Sequence, residues 1–324
     1  MPDLRLYNPF LRMQFNDRHC FLCGTEITLE QRTSVFPEWL MERYSLADKE
    51  LLLLDKSTVR HRDLTIPCCD TCHTQHLVPL EQDVKQATEQ GLQGWQQLPE
   101  KRIFQWLGKI FYGMLVTELI KEQNPLIRPQ YAVSENPKML GKFQSFFQVL
   151  QSIRVPIEFD DFLPASVFVI PVKPEQDALP FEFNDELTTM MCSIKLDDVA
   201  IVCCLLDNGI IKRALGRVWQ DVKGKPLNAK QLAEFQARAY YAAYLLNVVP
   251  EYFLRPVKPT DDQIVYDTFM DDVTGAVFNP FEVTAYAHML EEMLKRWEIR
   301  ADKILEDPEN PLSFIYDEEG KLLV

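Results

Sequence analysis

Cys20-Phe21-Leu22-Cys23-Gly24 and Cys69-Asp70-Thr71-Cys72-His73 are the two stretches on which the reading of this chain turns, with 45 residues between Cys23 and Cys69. Each CxxC turn aims two sulfurs at one spot, and Gly24 permits a tight knuckle after the first pair. Together the turns offer Cys20, Cys23, Cys69 and Cys72 as the four thiolates of a closed tetrahedral metal site. An all-thiolate set suits zinc, a soft and redox-inert ion, with iron–sulfur ligation as the alternative. Cys68 could replace Cys69 in a CxxxC arrangement, although CxxC geometry favours Cys69. A structural metal would let a unit of about 80 residues fold on a small core.

Outward from the knuckles, the 324 residues are enough for two domains, and 47% hydrophobic with 25% charged is a globular composition. Three further cysteines, Cys192, Cys203 and Cys204, fall in apolar runs, where burial is their expected role. Clustered cysteines of this kind mark a metal site in a reducing compartment, not a disulfide framework, so a cytoplasmic location is expected. The first fifteen residues carry Asp3, Arg5 and Arg12, and neither a leader nor a membrane segment is expected. The net charge is −14, which argues against broad polyphosphate binding. Yet residues 257–324 hold 16 acidic and 6 basic side chains, whereas residues 1–80 hold 11 and 9. The acid excess therefore belongs mostly to the tail, where Asp261, Asp262, Asp271 and Asp272 read as a solvated face without the spacing of a calcium loop.

Periodicity sets the remaining elements. Ile103, Leu107, Ile110 and Met114 recur at helical spacing, widened by Trp106, Phe111 and Leu115, so Ile103–Ile120 reads as a core helix. Gln105, Lys109 and Glu118 interrupt it. Phe143, Phe146, Phe147 and Leu150 mark a second helix, with loops expected at Asn124–Pro129 and Asn136–Pro137. Ala165–Lys173, Thr188–Leu196 and Asp198–Leu206 then read as strands, and Asp207-Asn208-Gly209 as the turn of an antiparallel hairpin or meander. Asn228 with Gln231 forms a capping box ahead of a helix striped by Leu232, Phe235, Ala239, Ala242 and Leu246. A last helix is expected over Phe281–Leu305, with His288 at its rim.

Between the knuckles stands Ser34-Val35-Phe36-Pro37-Glu38-Trp39-Leu40, and the second knuckle runs into His73 and Leu77-Val78-Pro79-Leu80-Glu81. Over about 65 residues this order resembles the zinc-stapled HNH (ββα-metal) endonucleases of the treble-clef group. The remainder is similar to the long C-terminal extensions of some bacterial members, through Trp106–Gly113, Leu206-Asp207-Asn208-Gly209 and the helix from Leu232 to Tyr244 before Pro250-Glu251-Tyr252. The patterns above give an α+β chain, with a cysteine-bracketed unit in residues 1–80 that the resemblance makes a treble-clef zinc module, a helical segment in 81–160, and an antiparallel sheet with packed helices in 161–324. It also implies a histidine base that activates water and a divalent cation, magnesium or manganese, on a helix His or Asn. His73 fills the helix position. Where the family carries an acidic residue followed by His, this chain has Thr33-Ser34, and neither side chain is a base or a hard anionic ligand. His61, between Arg60 and Arg62, is the substitute candidate beside His73, its alternative being an exposed loop residue; His19 and His76 are further histidines of the unit.

Three functions follow as expectations. One is an HNH-like protein that binds or processes DNA or RNA with a degenerate nuclease centre, in the company of bacterial defence systems. Another is a zinc-stabilised module whose C-terminal domain binds a protein partner and which never meets nucleic acid. The third is an active metal-dependent endonuclease with an atypical base. Arg12, Arg18, Arg32, Lys56, Arg60 and Arg62, with Trp39 and Tyr44, are the candidate phosphate-contacting patch.

Overall fold

The computed structural model describes residues 4–54, 56–123, 132–175, 179–269 and 276–323, and the chain is α+β. It divides into two compact units. The first comprises Met1–Gln90, Gln97–Phe162 and Glu251–Phe269; the second comprises Gly91–Gln96, Leu163–Pro250 and Met270–Val324. The cut expected at residue 80 therefore falls inside unit 1. Residues 251–269, expected in the C-terminal domain, belong to unit 1 as well. The reason is strand pairing: Ile264–Phe269 runs parallel to Ile157–Phe159, and Glu251–Leu254 pairs antiparallel to it. Such contacts between distant segments leave no local signal in a sequence.

In unit 1, β1 (Arg32–Ser34) is followed by α1 (Glu38–Arg43) and a hairpin of β2 (Glu50–Leu52) and β3 (Thr58–Arg60). The chain then returns as β4 (Thr65–Pro67), antiparallel to β1 with Thr33 opposite Ile66. From β4 it passes into α2 (Asp70–Cys72), a π turn over His73–Leu77, and α3 (Val78–Glu89). After α4 (Gly91–Gln97), at the division between units, α5 (Glu100–Glu122) forms the core of unit 1 and α6 (Pro137–Leu150) packs on it. Strand β5 (Ile157–Phe159) leads the small parallel pairing.

Helix α5 is the one described helix long and apolar enough to cross a membrane, but 89% of that window is buried within the protein. Its three polar interruptions are anchors. Gln105 donates to the Ser152 carbonyl at 2.7 Å, Glu118 accepts from the Leu54 amide at 3.0 Å, and Lys109 holds the end of β1. They satisfy backbone groups, and leaving the buried ones among these unpaired would cost about 1–3 kcal/mol each. Gly113 lets α5 approach the strands, since a Cβ there would meet Val35 at 3.0 Å and Ile66 at 3.3 Å.

Unit 2 is built on an antiparallel sheet in the order β6 (Ser166–Pro171), β9 (Val199–Cys204), β8 (Met191–Leu196), β7 (Phe181–Glu186). The meander is as expected, with Cys192, Cys203 and Cys204 buried in it, but its turns lie elsewhere. Asp197-Asp198 joins β8 to β9, with Asp197 at φ 55°. Asp207-Asn208-Gly209 is instead a strand-to-helix corner leading into α7 (Ile210–Ala214). There the buried Asp207 carboxylate accepts from the Ser166 amide and hydroxyl, both at 2.6 Å, and from the Ile211 amide at 2.7 Å. A side chain that collects amides from the following helix caps it, which outweighs the hairpin preference of Asn-Gly.

Next come α8 (Gly216–Val222) and α9 (Ala229–Leu245), the latter opened by the expected Asn228–Gln231 capping box. Phe235, Ala239 and Ala243 of α9 seat on the sheet through Phe168, Ile170, Ala200 and Val202. The expected Phe281–Leu305 helix is broken. It forms α10 (Val283–Met293), a 3-10 turn over Lys295–Trp297 and α11 (Ala301–Ile304), because Glu298 takes the left-handed conformation at φ 54°. A residue in that conformation cannot continue a right-handed helix. His288 stands exposed on α10, 3.3 Å from Glu291. Asp271, Asp272 and the Asn124–Pro129 loop lie outside the described residues.

Candidate metal centre and adjoining groove

The first knuckle is a tight turn. The Gly24 amide donates to the Cys20 carbonyl, the Cys20 amide to the Thr25 carbonyl, and His19 bridges to Glu26. Gly24 sits at φ 73° with Tyr7 against it, so any side chain there would be strained and would collide with the Tyr7 ring at 2.3 Å. The Phe21 amide donates to the Pro67 carbonyl at 2.8 Å, which pins this knuckle to the end of β4. Immediately after β4, Cys69 caps α2 by accepting from the Cys72 amide at 3.4 Å.

These backbone constraints bring the sulfurs of Cys20, Cys23, Cys69 and Cys72 within 4.8 Å of one another. The Cys23 and Cys69 sulfurs are 3.7 Å apart. A tetrahedral ion with sulfurs at about 2.3 Å requires sulfur–sulfur edges of about 3.8 Å, so the set fits a metal ion. Cys69, not Cys68, completes it. Cys68 is buried beside it, with its thiol toward the Cys69 carbonyl at 3.6 Å. All eight cysteines are free thiols.

The sulfurs also compete for protons. Hydrogen bonds from Cys23, Cys68 and Cys72 hold the Cys20 thiol far below its ordinary range, and the resulting thiolate drives Cys72 far above it. Crowded sulfurs of this kind can share little negative charge unless a cation neutralises it. Among the described residues this is the one group of three or more Cys, His, Asp or Glu side chains able to hold a metal ion.

Beside it opens a groove of about 430 Å³ lined from β1, α1 and the helical run after the second knuckle. His73 and Thr33 face one another across it, with Nδ1 3.4 Å from the Thr33 hydroxyl. Trp39 and Lys85 also line it. The Trp39 ring stacks on Trp106 with centroids 6.4 Å apart, and its buried Nε1 meets no acceptor among the described residues.

Glu81 and Lys109 are contributions that the sequence reading missed. Lys109 is fully buried and donates to the Ser34 and Val35 carbonyls at 2.7 and 2.9 Å and to Glu81 at 2.9 Å. It fixes the end of β1 and neutralises the carboxylate of the groove closest in sequence to His73. The eight-residue spacing from His73 to Glu81 was the available signal, since one π turn plus one α turn covers about that length.

His61 is elsewhere. It is buried, not the exposed loop residue that was the alternative, and it does not line the groove. Its Nδ1 donates to the Lys49 carbonyl at 2.7 Å, its ring lies 5.0 Å from Phe36, and burial lowers its pKa. A neutral imidazole packed on phenylalanine ties the β2–β3 region to α1. His19 bonds Asn16 at 2.8 Å, and burial, aided by Arg154, lowers the pKa of half-buried His76. Half of the basic patch is paired: Arg32 with Asp17, Arg60 with Asp63 and Arg62 with Asp48, at 2.6 to 2.8 Å. Tyr44, counted with that patch, is buried.

The groove therefore offers a histidine, a hydroxyl and an aromatic platform, with the half-buried Glu81 carboxylate held by a lysine. The chain matches no protein-family model, no curated protein and no solved structure.

Proposed function

We propose that unit 1 is a zinc-stapled HNH-type module that contacts nucleic acid along the His73 groove without cleaving it. One observation carries the reading: β1, β4 and the helical run bearing Cys72 and His73 converge on one groove, and the side chain facing His73 there is Thr33. A threonine hydroxyl cannot take a proton from water near neutral pH, so the step that begins phosphodiester hydrolysis has no base at this position. Zinc is supported as the ion by four thiolates at tetrahedral spacing. Trp39 and Lys85 supply a stacking surface and a phosphate contact. A place in bacterial defence rests on analogy with the company such modules keep.

A second reading, a zinc-stabilised protein-interaction module, is favoured by the arginine–aspartate pairs, because cations already neutralised release few counterions from nucleic acid.

Binding of fluorescent single- and double-stranded DNA and RNA separates these readings when followed by anisotropy against salt. The nucleic-acid reading predicts salt-dependent binding that Trp39→Ala and Lys85→Ala weaken, with no cleavage in magnesium or manganese. Absence of binding at low salt would overturn this reading and favour the interaction module instead. Metal-dependent cleavage lost in His73→Ala would show an active endonuclease with an atypical base.

A further inference from the structure

Unit 2 holds a second cleft, independent of the metal centre, and its chemistry is unlike the acidic segment that borders it. Along β8, Met191, Ser193 and Lys195 alternate onto the face covered by α9. Lys195 is only 6% exposed, an uncommon place for a lysine. Its ammonium group donates to the Leu179 carbonyl, and burial lowers its pKa. Above it, the small side chains of Ala229 and Ala233 on α9 leave a cleft of about 400 Å³, closed on its far side by the corner between α10 and α11.

Among the described residues, the charged side chains lining this cleft are Lys173, Lys195, Lys295 and Arg296 against Glu182 and Glu292, an excess of two positive charges. That excess stands in a chain of net charge −14, with two of the four cations inside the most acidic segment. The internal pairs are long: 3.5 Å from Arg296 to Glu182 and 3.9 Å from Lys295 to Glu292. They leave the cations available to a stronger partner. Arg296 is also held in place, its guanidinium 3.9 Å from the centre of the Trp297 ring. Asn184 and Gln236 add amides to the wall.

The geometry points to a binding site for a small phosphomonoester of nucleotide size. A phosphomonoester carries close to two negative charges near neutral pH, which matches the excess. A planar guanidinium recognises phosphate oxygens in pairs, and a buried lysine supplies a fixed charge at the floor. The volume exceeds what a bare phosphate fills and lies within the range of organic-ligand pockets.

Calorimetric titration of the full chain with AMP, inorganic phosphate and adenosine tests this. The expected result is AMP binding that inorganic phosphate competes away, with none for adenosine. Arg296→Ala, an exposed change that leaves the melting temperature in place, should weaken AMP by at least about tenfold, and Lys195→Met should do the same. Adenosine binding as tightly as AMP, undiminished binding in both variants, or no binding of AMP at about 1 mM would overturn the proposal.

Discussion

In unit 1 four cysteine sulfurs crowd within 4.8 Å with mainly one another as neighbours, whereas in unit 2 two buried carboxylates are surrounded by donors. Asp207 collects the Ser166, Gly209 and Ile211 amides and the Ser166 hydroxyl. Glu234 on α9, fully buried, accepts from Arg238 at 2.7 Å, the Ser313 hydroxyl at 2.8 Å, and the Phe314 and Ile315 amides. Hydrogen-bond donors from the chain itself complete the second arrangement. The first has the donor set and spacing that a metal ion would complete. Clustered buried acids thus point to different things in the two units: in one to a site for a metal ion, in the other to a locked corner and C-terminal segment.

Removing the ion should separate the units most strongly. Structural zinc contributes on the order of 10 kcal/mol to small domains. Chelation, or Cys69→Ser with Cys72→Ser, should therefore expose the amides of β1, β4 and α2 to hydrogen exchange while those of β8 and β9 stay protected. Equal loss of protection in both units would break the distinction. Next in size, Glu234→Ala should destabilise unit 2 by about 2–4 kcal/mol, because it strands two amides and leaves the half-buried Arg238 without its carboxylate. Denaturant unfolding would read it, with residues 313–316 exchanging first.

Acid should drive the units apart. Protons compete with metal for thiolates, so an ion held by the four cysteines should be lost from unit 1 as pH falls. Asp207 works in the opposite sense. Burial raises its pKa from 3.8 to about 6, so the folded state binds the proton more tightly than the unfolded chain. Its contribution is fully present below about pH 4 and is lost as pH rises through about 6, a span of about 3 kcal/mol. The difference in stability between wild type and Asp207→Asn should accordingly shift toward wild type as pH drops from 7 to 4; a flat difference would contradict the role of burial. The smallest effect expected is Asn228→Ala, which removes the α9 cap and should cost about 1 kcal/mol in the same unfolding assay.

What the sequence revealed follows the range of the interactions involved. The CxxC pairs, the α5 stripe and the Asn228–Gln231 box are set by residues three or four apart, and they stand where their spacing puts them. Asp207-Asn208-Gly209 was misread because its outcome depends on Ser166, forty-one residues earlier, whose amide and hydroxyl compete for the aspartate. The burial of His61 depends on Phe36 and Lys49, and the strand pair at 251–269 depends on Ile157–Phe159. At the groove, His73 and the Thr33-Ser34 departure were legible, while the Lys109–Glu81 pair behind them joins two helices and was not. The cationic cleft of unit 2 was hidden because a net charge averages over side chains that the fold separates.

Four cysteines from two distant knuckles are placed to hold one metal ion that would staple unit 1. Native mass spectrometry of the purified chain beside Cys69→Ser tests it most directly. One zinc per wild-type chain, and none tightly held by the variant, is the expected result. A folded wild-type chain with the mass of polypeptide alone, or a variant that keeps its metal, would contradict it.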